Sequence, residues 1–159
     1  MTSRQAKQRQ TSLRNMHFNR YLLVRYFTAG YFFMNLYWLI LLASMRKMTL
    51  ILPACLLVGL VLVCAEQVKQ YRQPSRHLPQ AYWYYWLQLS INICLLISLY
   101  TPLFTNLYPF IKPTGKGALA ILLVVGSIGC IVVERKLFKI AHDQDRYFKA
   151  LKDFEASIQ

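Results

Sequence analysis

The stretch MTLILPACLLVGLVLVCA, residues 48–65, contains no charged side chain and no polar group larger than a hydroxyl or a thiol. A helix exposed to water needs a polar face, and this run offers none on any side. A bilayer core of about 30 Å calls for about 20 consecutive apolar residues. Residues 48–65 sit near the short limit and can borrow length from their flanks. The run is read as a membrane span, and that reading sets the fold class.

Three more runs have the same character: 26–45, 84–104 and 117–133. The chain of 159 residues is 56% hydrophobic yet carries a formal net charge of +13. A soluble domain would interleave charge and apolar residue, whereas here they fall in separate blocks. The expectation is an all-α, polytopic membrane protein with four transmembrane helices and an amphipathic C-terminal helix. Residues 1–20 form a basic segment, 21–133 the four-helix transmembrane domain, and 134–159 the tail. The first span is basic in front, as a signal peptide is, but its apolar stretch is too long and ends without a small-residue cleavage pattern. It is expected to be a retained helix.

Basic residues assign the sides. Arg4, Lys7, Arg9, Arg14 and Arg20 precede the first span, Lys69, Arg72 and Arg76 lie between the second and third, and Arg135, Lys136, Lys139, Arg146, Lys149 and Lys152 follow the fourth. The opposite side holds only Arg46, Lys47, Lys112 and Lys116. Positive connectors stay inside, so the N and C termini are expected to be cytoplasmic. Small size and minimal loops point to a bacterial cytoplasmic membrane. The same rule explains the N-terminal charge without nucleic acid, and no nucleic-acid partner is expected. Anionic lipid headgroups are, because each basic residue near such a surface contributes about 1 kcal/mol.

Arg25, at the front of the first run, is read as an anchor snorkelling to headgroups together with Arg20. Tyr82, Trp83 and Trp86, from the string AYWYYW at 81–86, are read as interfacial anchors of the aromatic belt.

The polar residues inside the spans are amides and hydroxyls, with no acid and no histidine. Thr28 and Asn35 are seven apart, and Gln88 and Asn92 four apart, so each pair shares a helix face. Ser90, Cys94 and Ser98 form a second row, placed on the opposite side of the third helix. These groups are candidates for intramembrane packing or a polar path, each bond between helices contributing about 0.6–2 kcal/mol. Gly126, Gly129 and Cys130 would let the fourth helix approach a neighbour closely. Without a titratable group at depth, a proton-coupled transporter is disfavoured. The four cysteines all fall within spans and show no CxxC spacing, which leaves a thiol oxidoreductase unsupported. The histidines have no metal-ligand spacing. No cofactor, metal or catalytic residue is expected, and an enzyme is disfavoured.

The tail carries Ile140, Tyr147, Leu151, Phe154 and Ile158 at spacings of seven, four, three and four, with Phe148 widening the stripe. Its charges are nearly balanced, which favours protein contact over anionic lipid. The leading expectation is therefore an accessory or regulatory subunit that binds a larger membrane protein, or itself, through its polar faces and this tail. The alternative is a small transporter or pore formed by oligomerisation, for a lipid-linked or polar solute.

Overall fold

The computed structural model describes residues 21–72 and 78–142, and the regular structure among them is entirely helical. α1 runs over Leu22–Ser44, α2 over Ile51–Arg72, α3 over Pro79–Ser98, α4 over Phe104–Leu107 and α5 over Lys116–Ala141. Three segments, Leu22–Ser44, Met48–Lys69 and Pro113–Ala141, are long and apolar enough to cross a membrane. The chain is an integral membrane protein. α3 is 20 residues long, and its tyrosines, glutamines and asparagine make it less apolar than the other three.

The long helices share one packing rule. Buried residues recur at spacings of four, three or their sum, seven: Val24, Thr28, Asn35 and Leu42 on α1, Leu56, Leu60, Val63 and Gln67 on α2, and Ala81, Tyr85, Gln88, Asn92 and Leu95 on α3. On α5 the series is Leu119, Leu123, Cys130, Val133, Leu137 and Ile140. This period of 3.5 residues keeps one seam of each helix facing its neighbours, as in coiled coils and helix bundles. The remaining faces are covered with exposed Leu, Ile, Val and Phe, including Phe33, Ile40, Val58 and Ile121. Such faces suit lipid rather than water.

Two antiparallel hairpins make the bundle. α1 packs mainly on α2, and α3 mainly on α5. The first hairpin turns at Met45–Lys47, where Arg46 adopts φ 49°. Its N–H donates to the Ala43 carbonyl at 3.0 Å and that of Lys47 to the Leu42 carbonyl at 3.3 Å. These are the paired bonds that close a helix through one left-handed residue. Pro53 falls in the first turn of α2, where its missing N–H costs no helical bond.

The third helix differs from expectation at both ends. It starts at Pro79, in the favoured first helical position, and stops at Ser98, not at 104. Ser98 Oγ donates to the Leu95 carbonyl at 2.7 Å and Thr101 Oγ1 to the Ser98 carbonyl at 3.0 Å. Pro102 follows and cannot continue the helix. Phe104 instead opens α4, a single turn that folds back over the end of the bundle, with Phe104 and Tyr108 buried against Leu95, Leu99, Leu119 and Leu123. Trp38 fastens it: its indole N–H donates to the Leu107 carbonyl at 3.1 Å, and its ring stacks on Tyr108 at 5.2 Å between centroids. Thr49 Oγ1 adds a 2.9 Å bond to the Asn106 carbonyl.

α5 runs unbroken from Lys116 to Ala141, past residue 133. Ile140, expected on the partner-docking face of the tail, is only 1% exposed and belongs to the bundle core. It is the next position of the α5 seam, which explains the difference. Tyr147, Phe148, Leu151, Phe154, Ile158 and Arg20 lie outside the described residues.

Candidate functional site

Where helices carry polar groups into an apolar core, those groups must find one another. They do so in two chains. In the first, Thr28 Oγ1 donates to the Val24 carbonyl at 2.8 Å. Its oxygen then accepts from Gln67 Nε2 and from the Tyr85 hydroxyl, each at 2.9 Å. One hydroxyl thus joins α1, α2 and α3. Arg25 lies one turn away, half-buried, with Nη2 3.4 Å from the Gln67 carbonyl.

The second chain runs along α3. The Tyr84 hydroxyl donates to Gln88 Oε1 at 2.7 Å, and Gln88 Nε2 donates to Asn92 Oδ1 at 3.1 Å. Both amides are 4% exposed. The Tyr84 proton fixes the orientation of each amide in turn, and the Asn92 amide nitrogen is left without a bond among the described residues. Asn35, also 4% exposed, donates through Nδ2 to the Tyr31 carbonyl at 2.9 Å. Its side-chain oxygen likewise accepts no bond among the described residues.

Asn35, Gln88 and Asn92 line a cleft of about 480 Å³ between α1, α3 and α5. That volume falls within the range of about 300–1,000 Å³ usual for ligand sites. The cleft starts at Tyr26 and Phe27, passes the three amides, and ends at Trp38 and Tyr108 beneath the connection between α3 and α5. Among the described residues no charged side chain lines it. Tyr26, Met34, Leu122 and Val125 form part of its wall and are also exposed on the surface of the bundle. Its mouth therefore opens sideways between α1 and α5. The two helices touch where Tyr31 donates to the Gly126 carbonyl and lies 3.1 Å from Cys130 Sγ. Gly129 permits the approach, since a Cβ there would lie 2.7 Å from the Phe27 ring. At Gly30, by contrast, a Cβ would meet nothing within 4 Å.

Comparison with protein-family models, with curated proteins and with solved structures found no match.

The residues singled out from sequence separate into groups. Thr28, Asn35, Gln88 and Asn92 are buried, the last three around one cleft. The row Ser90, Cys94 and Ser98 is split: Ser98 is buried beside Leu95, whereas Ser90 and Cys94 are on the outward surface, with Ser90 Oγ bonded to the Trp86 carbonyl at 3.0 Å. Ser98 lies three residues after Leu95, next to it on the inward face of the helix. Tyr82, Trp83 and Trp86 point outward at 40%, 73% and 45% exposure. Their neighbours Tyr84 and Tyr85 turn into the core and join the polar chains.

Five participants are absent from the sequence-based set: Tyr31, Glu66, Gln67, Tyr84 and Tyr85. Gln67 had a usable signal, because it continues the series Leu56, Leu60 and Val63 by four residues. Glu66 accepts from the backbone N–H groups of Gln80 and Ala81 at 3.2 and 2.9 Å, capping the start of α3 from α2. Its partners lie fourteen and fifteen residues on, so no local capping pattern announces it.

Proposed function

We propose that this chain crosses the membrane four times, α3 being the third crossing, and that it is a small carrier or binding protein for an amphiphile taken from the bilayer. The observation that carries the reading is the cleft: apolar walls, a sideways mouth, and two amide atoms, Asn35 Oδ1 and Asn92 Nδ2, without bonds among the described residues. Both residues line the cleft, so a polar head placed there can bond these two atoms. Packing of α3 along α5 supports a fourth crossing. Arg46, Lys47, Lys112 and Lys116 cluster at the end closed by the Thr49–Asn106 bond. The opposite end carries Arg25, Lys69, Arg135, Lys136 and Lys139, which supports cytoplasmic termini.

The accessory-subunit reading finds less support inside the spans, where Thr28, Gln88 and Asn92 bond within the chain. Its remaining surfaces are the outward face of α3 around Trp86 and Cys94, and the tail beyond residue 142.

The test is native mass spectrometry of the full-length protein released from nanodiscs of bacterial lipid extract. Wild type is expected to retain an amphiphile that Gly30→Leu loses, because a leucine at that open position reaches into the cleft. A Gly30→Leu protein that folds and still retains the same adduct would overturn the reading. So would a wild-type protein that carries none.

A further inference from the structure

The chemistry of the cleft narrows its occupant. Its polar side chains are amides, phenols and an indole, all uncharged, and among the described residues no lysine, arginine, aspartate or glutamate reaches the wall. A charged head placed there would leave water without a counter-charge, which is costly in an apolar site. Asn92 offers an N–H donor and Asn35 a carbonyl acceptor, each on a side chain 4% exposed. A hydroxyl can accept from the first and donate to the second. The mouth between α1 and α5 faces the position of lipid chains, since Met34 and Val125 line it and are exposed on the bundle surface. The stacked Trp38 and Tyr108 close the far end.

Resting on the carrier reading above, we infer that the ligand is an uncharged lipid with a hydroxyl-bearing head, which enters sideways between α1 and α5 and is held by hydrogen bonds from Asn92 and to Asn35. Zwitterionic and anionic lipids are discriminated against because the cleft's described wall holds nothing to neutralise them.

The experiment uses full-length protein in phosphatidylcholine nanodiscs with a diazirine-bearing 1-O-hexadecylglycerol as the photoprobe. Hexadecylglycerol, hexadecyl sulfate and hexadecyltrimethylammonium, with the same chain, serve as competitors at equal mole fraction. Labelling is expected on residues of α1, α3 and α5 that line the cleft, and Gly30→Leu removes it. Uncharged hexadecylglycerol is expected to compete about tenfold better than either charged compound, the size of effect a few unmatched polar contacts give. Asn92→Leu reduces that preference. Asn35→Leu does the same and breaks only a bond to its own helix, so it keeps the test open should Asn92→Leu fold poorly. Equal competition by all three compounds, or an undiminished preference in a folded Asn35→Leu protein, would overturn the head-group inference while the cleft reading stands. Labelling confined to outward residues, or untouched by Gly30→Leu, would overturn both.

Discussion

Gln67 of α2 donates its side-chain amide to the Thr28 hydroxyl of α1 across 2.9 Å, inside the bundle and against the Tyr85 hydroxyl of α3. The contact joins three helices through one oxygen atom. Replacing Gln67 by Leu keeps most of the volume and removes the donor, so Thr28 and Tyr85 remain paired. The expected loss is about 0.6–2 kcal/mol, the range for bonds between helices in a bilayer. Reversible unfolding in mixed micelles measures it. A double-mutant cycle with Thr28→Val is expected to show coupling, because the two residues share the bond.

Glu66 fastens the start of α3 from a different helix. No side chain of α3 itself caps that end, where Leu78 is the N-cap residue. A carboxylate bonded to first-turn N–H groups also interacts favourably with the helix dipole. Glu66→Ala is expected to destabilise by about 1–2 kcal/mol, as loss of a helix cap does. Hydrogen exchange should rise first at residues 80–83, before any change in α1. Uniform loss of protection across the bundle would contradict this local role.

Gly129 and Phe27 set the distance between α1 and α5. With a Cβ 2.7 Å from the ring, Gly129→Ala forces the ring or the helix to move. Overpacking of this kind costs about 1–3 kcal/mol. Phe27→Leu in the same chain is expected to restore most of the lost stability, while Phe27→Leu alone weakens packing. Thermal unfolding of the four proteins, scored as a cycle, decides the point.

Arg46 occupies a left-handed backbone conformation at the tip of the first hairpin. Glycine adopts that conformation without strain. Arg46→Gly is expected to stabilise the fold by about 1 kcal/mol, since left-handed non-glycine residues carry about that strain. Lys47 keeps a positive charge at the turn, so side-specific cysteine labelling should report an unchanged orientation. A loss of stability would show that the Arg46 side chain contributes more than its backbone costs.

The sequence by itself determined that the protein is helical and embedded in a membrane. Unbroken apolar runs such as 48–65 have no soluble solution, and that follows from transfer energetics alone. It also marked Thr28, Asn35, Gln88 and Asn92, since amides at depth stand out against leucine and valine.

Only the tertiary structure decided what those residues meet. Every helix is apolar nearly all round, so composition cannot tell a seam from a lipid-facing surface; the alternation of four and three does so only once partners are in place. Ser98 sits inward because it follows buried Leu95 by three residues, and Ile140 joined the core because the α5 seam continued past the apolar run. The opening between α1 and α5 depends on two glycines with opposite surroundings, Gly129 against a ring and Gly30 against nothing. A sequence prints the same letter for both. The difference lies in the atoms that other helices bring beside them.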